Sequence, residues 1–199
     1  MELRDILARR RMHRAFLPDP IPREQVERIA RVIRRAPSGG FSQGQSIVVV
    51  TEAETRAEIA RRFEEGSYPH PYLATAPVHM VISANERVYH DRYNEPDKLR
   101  VTGGVEVEWP APFWFVDAGA AMMLLLLAAI DEGLAAGVYG VPVPEMQEFK
   151  ALLGIPDDVA VVAGVTVGRG RPDPNAAATS SRFTQRRRSV DEVVRWERW

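Results

Sequence analysis

At 199 residues the chain is long enough to bury a substantial core as a single domain. Charged residues make up 27% and hydrophobic residues 45%, and the formal net charge of -1 leaves no global field to draw in nucleic acid or an anionic membrane, so any anion site has to be local. The absence of cysteine excludes disulfides, thiolate nucleophiles, zinc ribbons and iron-sulfur ligation.

In chain order, residues 2–14 read as a short helix with Leu3, Ile6 and Leu7 on one side and a block of arginines behind them. Pro18, Pro20 and Pro22 force an extended connection, and Pro22 suits the first turn of the next helix, where Val26, Ile29, Ala30 and Ile33 recur at helical spacing. Pro37-Ser38-Gly39-Gly40 ends that helix, and Ile47–Val50 begins a strand. Thr51 and Glu54 form a capping-box pattern for a helix carrying Ile59 and Phe63, and Val78–Ala84 reads as a second strand. Residues 85–114 read as an irregular lid or binding loop rich in aromatic residues.

From Val116 to about Leu134 runs a helix apolar on nearly every face, which needs cover all round. A second chain is one source of that cover. Its longest apolar run, Ala118–Ile130, falls short of the roughly 20 residues that cross a bilayer, and the N-terminus lacks the apolar core of a signal peptide, so a cytoplasmic location is expected. A glycine-rich turn over 137–144, a helix through Leu153 stopped by Gly154 and Pro156, and a strand over Val159–Val167 follow. The arginine-rich tail ends in VDEVVRWERW, whose apolar residues imply that it packs against something. Strands and helices do not alternate cleanly, so the fold class is α+β, a single domain over 1–199, with a mixed or antiparallel sheet.

Chemistry-bearing motifs are few. There is no Rossmann glycine pattern, P-loop or nucleophile elbow, so a nicotinamide nucleotide would bind only transiently. His13, His70, His79 and His90 lack metal-ligand spacing, so no metal site is expected. An organic cofactor then becomes the natural carrier of difficult chemistry. Two arginine blocks, Arg9, Arg10, Arg11 and Arg14 near one end and Arg186, Arg187 and Arg188 near the other, would make a bidentate phosphate site if they converged. Otherwise each is a solvated charged face.

RRRMHRAF (9–16), APSGGFSQ (36–43), DAGAAMMLLLLAAIDEGLAAG, YGVPVPEMQEFKALLGIP and RRRSVDEVVRWERW, in this order, resemble the nitroreductase family over nearly the whole chain. The resemblance implies a three-layer α-β-α fold in an intertwined homodimer, with FMN as cofactor and NADH or NADPH as transient reductant. Hydride would pass through the flavin N5 to a small organic oxidant such as a nitroaromatic, quinone or enone. Carried over by position, Arg10, Arg11 and Arg14 would contact the phosphate, ribityl chain and pyrimidine edge, and Arg187 and Arg188 would complete the phosphate site. Pro37, Ser38 and Gly39, with Phe41 nearby, would reach the flavin from the partner subunit, and Tyr139, Gly140 and Val141 would supply backbone contacts around N5. No side chain stands out as catalytic.

The departures are specific. Met12 stands where the family usually has a hydroxyl residue, Phe41 replaces a common asparagine, and Gly44-Gln45 replace a common proline-tryptophan pair. GFSQ is similar to the branch that cleaves flavin to dimethylbenzimidazole, although that branch expects aspartate at the position of Met12. A non-catalytic FMN-binding or storage protein is the other alternative. Neither nucleic acid nor membrane is an expected partner.

Overall fold

A computed structural model of the chain describes residues 1–65, 70–172 and 184–199. Its centre is a four-stranded sheet of β1 (Gln45–Val50), β2 (Val78–Ala84), β3 (Ala135–Tyr139) and β4 (Ala160–Gly168) in the order β1-β2-β4-β3. Every neighbouring pair is antiparallel, which narrows the expected mixed or antiparallel sheet to the second. Strand alternation sends Val78, Met80, Ile82 and Ala84 to one face, and Val81, with the side chain of His79, to the other.

Helices cover both faces, so the architecture is three-layered α+β. On the first face lie α2 (Arg23–Arg31) and the long α6 (Phe113–Asp131), with Val26, Ile29, Leu125 and Leu126 in the core. On the second lie α3 (Ala53–Glu65) and α7 (Met146–Leu153), contributing Ile59, Phe63 and Phe149. α7 stops at Gly154, whose φ of 64° is the left-handed cap that glycine adopts without strain. By length and composition α6 is apolar enough to cross a membrane, a longer element than Ala118–Ile130 suggested. Here it is the core helix of the first layer, and its buried Asp117 takes part in hydrogen bonds described below.

Three expectations need correction. α1 covers only Leu3–Arg9, and residues 10–17 are extended. Gly137–Tyr139 is not a turn but the end of β3, a strand so rich in small residues that it reads as a loop. Residues 85–114 contain two helices, α4 (Glu86–Tyr93) and α5 (Pro96–Thr102), packed beside an aromatic cluster of Tyr89, His90, Tyr93, Trp109 and Trp114. Of the tail, residues 173–183 lie outside the described residues. Residues 184–199 are exposed throughout, Trp196 at 82% and Trp199 at 100%, so the packing expected of them is not made within this chain among the described residues.

Candidate functional site

The extended arm after α1 is placed by backbone bonds. The His13 amide donates to Ala136 O (2.9 Å), Leu17 to Arg169 O (2.8 Å), and Phe16 forms a bridge with Gly170. Gly137 makes this approach possible, because a Cβ there would fall on the His13 carbonyl. With its backbone spoken for, the arm leaves Arg11, Met12 and Arg14 exposed and Arg10 half-buried. Among the described residues, no carboxylate pairs with the side chains of Arg10, Arg11 or Arg14. About half of the other arginines before the tail do pair, among them Arg28 with Glu132 (2.7 Å), Arg92 with Asp97 (2.8 Å) and Arg62 with Glu58 (3.0 Å). The arm's backbone is therefore held, while among the described residues its guanidiniums are not neutralised.

Beside the arm stands the turn Pro71–Ala74. Its Tyr72 is buried and donates to Val138 O on β3 (3.3 Å). Burial pushes the Tyr72 phenol up, and Arg14, close enough to hydrogen-bond it, pulls back in part. Burial also lowers His70 and His13, the first with help from Arg14 and the second from Arg11. Thus the arm, the 70–74 turn and the end of β3 form one continuous wall. Tyr139 closes β3 with its ring over Gly164, its cross-strand partner, where any Cβ would collide with the ring. Its hydroxyl lies 3.1 Å from His79 Nδ1, and His79 Nε2 lies 3.2 Å from Leu73 O. Burial holds His79 down at about 4. Tyr139 is pushed up for the same reason. Beyond it, Gly140 is exposed and Val141 half-buried at the start of a loop.

The third piece is the loop over 37–44. Pro37 is exposed, Ser38 and Gly39 are half-buried, and Phe41 is 74% exposed. Gly40, Phe41 and Gln43 all have left-handed φ values, 59°, 60° and 57°, and the two that are not glycine are strained. Bracing sustains this shape. Asp117 Oδ2 accepts from the Gly39 amide and from the Tyr89 hydroxyl, both at 2.8 Å. Arg92 donates to Gly40 O (3.0 Å), Ser38 Oγ accepts from the Gln43 amide (3.0 Å), and Gly44 O accepts from the Asn85 amide (2.8 Å). Gly44 is fixed as glycine by Tyr89, whose ring would lie 2.5 Å from a Cβ. Beside Asp117, the Tyr89 phenol is pushed up, by burial first and then by that carboxylate.

The structure thus places Arg10, Arg11, Met12 and Arg14 on an arm tied, through His13 to Ala136 and through Arg14 and Tyr72 to Val138, to the strand that ends at Tyr139 before Gly140 and Val141. It holds Pro37, Ser38, Gly39 and Phe41 in a separate group on α4 and α6. Arg187 and Arg188 lie in the exposed tail, where Arg188 bonds the Glu192 carbonyl of its own turn. No hydrogen bond, ion pair or ring contact joins the three groups among the described residues. Sequence reasoning missed Asp117, His79 and Tyr72. Asp117 carried a signal, a lone acid inside FWFVDAGAAMM, where an unpaired carboxylate would be costly. His79 and Tyr72 carried none.

A family model described as the nitroreductase family matches residues 7–169, and the chain belongs to that family. Among its relatives is a protein of Archaeoglobus fulgidus, provisionally named as an NADH dehydrogenase/NAD(P)H nitroreductase. It is 26% identical over 192 residues, 96% of this chain and 94% of its own. A chloronitrobenzene nitroreductase of Comamonas testosteroni is 27% identical, covering 82% of this chain and 85% of its own. Among solved structures, the NADPH:FMN oxidoreductase of Vibrio harveyi, complexed with NAD+, has the same fold. The TM-score is 0.73 at 23% identity, over 98% of this chain and 76% of that one.

Proposed function

We propose that the chain is a cytoplasmic FMN-dependent NAD(P)H oxidoreductase, acting as a homodimer on small aromatic or conjugated oxidants, nitroaromatics foremost. The observation that carries the reading is the set of guanidiniums on the 10–14 arm, whose backbone is held by hydrogen bonds while, among the described residues, no carboxylate pairs with them. Such donors suit a phosphate monoester, which accepts charge-assisted hydrogen bonds in the plane of the guanidinium fork. Family membership and the relatives' names supply the rest.

The residues present fit FMN on chemical grounds. Arg10 and Arg11 would hold the phosphate, with Arg187 and Arg188 of the tail adding to it. Arg14, steadied by Tyr72, would bring positive charge to the pyrimidine edge. Met12 offers no hydroxyl, so the phosphate rests on arginine. The amides of Gly140 and Val141 would face N5. When bound, FMN supplies two-electron chemistry at N5, accepting hydride from the nicotinamide and returning it to the oxidant. The chain's own part is orientation, charge and exclusion of water.

Two features support a second copy. The loop bearing Ser38, Gly39 and Phe41 stands apart from the arm within one chain, so a complete site draws it from a partner. Exposed apolar residues lie on α1 (Leu3, Leu7), on α6 (Phe115, Val116, Met123) and in the tail, more than a lone chain would leave bare. The test is purification with added FMN, sedimentation, and anaerobic mixing with NADH and with NADPH. A yellow dimer whose flavin bleaches with either donor supports the reading. Bound flavin that neither donor reduces supports the storage alternative, and a folded monomer unable to take up FMN overturns both.

A further inference from the structure

His79 is wholly buried on the second face of the sheet, among Phe63, Leu73 and Tyr139, and the chemistry above makes no use of it. Each ring nitrogen has one partner. Leu73 O is a carbonyl and only accepts, so Nε2 carries the proton, and Nδ1 accepts from the Tyr139 hydroxyl. The two partners belong to different walls of the site. Leu73 lies in the turn that carries Tyr72, and Tyr139 is the last residue of β3 before Gly140 and Val141.

We propose that His79 is a positioning residue, a neutral strut joining the 70–74 turn to the end of β3 and thereby fixing where the Gly140 and Val141 amides stand. Packing alone does not explain the pair, since apolar side chains fill an apolar layer at least as well and leave no polar group to satisfy. The surroundings are built to the strut. Gly164 gives up its Cβ so that the Tyr139 ring can lie flat against β4 with its hydroxyl at His79. Tyr72 adds a parallel tie from the same turn to Val138 O. Gly140 has no neighbour within 4 Å of a Cβ position, so what precedes it sets its place.

The proposal rests on the FMN reading for its purpose, and its test separates the two. Amide hydrogen exchange is measured on the apoprotein of wild type, His79→Leu, His79→Gln and Tyr139→Phe, and FMN release from the loaded proteins is followed by fluorescence. In His79→Leu, exchange at Gly140 and Val141 rises and FMN leaves about tenfold faster, the scale of one ordinary hydrogen bond. His79→Gln, which retains a donor and an acceptor, recovers most of both. Tyr139→Phe matches His79→Leu, and the double variant is no worse than either single one. Unchanged exchange at Gly140 and Val141 in a folded His79→Leu overturns the strut, as does additivity in the double variant. If His79→Leu does not fold, Tyr139→Phe, which loses one oxygen atom, decides by the same readouts. Wild type that takes up no FMN sinks the cofactor reading, and the apoprotein exchange still decides the strut.

Discussion

The 37–44 loop and the 10–14 arm treat their polar groups in opposite ways. In the loop many donors and acceptors are used within the chain: Asp117, Arg92, Ser38 and Asn85 all hold its backbone, and the left-handed Phe41 and Gln43 are the strain that this bracing sustains. In the arm the backbone is held, but among the described residues the guanidiniums have no carboxylate partner. On the proposed reading, the difference separates groups that shape a site from groups that would meet a ligand. The first are satisfied before binding, so their loss costs apoprotein stability as well as the loop's shape, and the loss of the second costs affinity alone.

That division predicts two separable phenotypes, and the sharpest break comes at the arm. Arg10→Ala with Arg11→Ala weakens FMN binding by about two orders of magnitude or more, from roughly 1.5–3 kcal/mol for each charge-assisted hydrogen bond, in a fluorescence titration. The thermal midpoint of the apoprotein stays where it was. A large fall in apoprotein stability would show that these arginines serve the fold instead.

Asp117→Ala, unlike the arm variant, shows already in the apoprotein. It strands the Gly39 amide and the Tyr89 hydroxyl, and urea unfolding of the apoprotein should show a loss of roughly 2–4 kcal/mol. Asp117→Asn, which keeps one acceptor, loses less. A neutral outcome for the alanine variant would mean that the loop does not depend on this carboxylate.

His79 sharpens the comparison through pH. Its folded value, about 4, lies below the 6.5 of the unfolded chain, so between these values the unfolded state binds the extra proton. The stability that the buried neutral ring confers is complete above 6.5 and is lost as pH falls toward 4, about 3 kcal/mol in all at 1.36 kcal/mol per unit. Urea unfolding across this range should fall more steeply for wild type than for His79→Gln, and parallel profiles would contradict a buried neutral histidine. The smallest effect is at Phe41. Glycine there relieves the left-handed strain and should raise apoprotein stability by up to about 1 kcal/mol, whereas a loss would mean that Phe41 packs usefully within its own chain.

The layers of the fold were legible where burial follows a period. Val78–Ala84, Ile47–Val50 and the apolar run of α6 declare themselves because a nearly unbroken apolar run has no polar face to confuse the pattern. β3 did not, since AAGVY is small for a tertiary reason: Gly137 must admit the His13 carbonyl, which no local pattern encodes. α1 ends at Arg9 for the matching reason, because residues beyond it are recruited by β3 and by the exit of β4. α4 and α5 were hidden among aromatic and charged residues whose ordering depends on Trp109, Trp114 and the Glu106 carboxylate, which joins His90 (2.5 Å) and Trp109 (2.8 Å). At the candidate site, the arginines and the proline-serine-glycine loop stand out as motifs, but Asp117 and His79 act through contacts 78 and 60 residues away in the chain.

On the proposed reading, a working site combines the arm of one chain with the loop of its partner. Subunit mixing tests it most directly. One variant carries the arm substitutions Arg11→Ala and Arg14→Ala, the other carries Asp117→Ala and Phe41→Gly in the loop, and each alone binds FMN poorly. Mixed dimers, isolated by two different affinity tags, should recover one tight site each, because one arm and one loop remain intact and face each other across the interface. Isolated mixed dimers that bind FMN no better than either parent would place both halves of the site within a single chain and contradict the account.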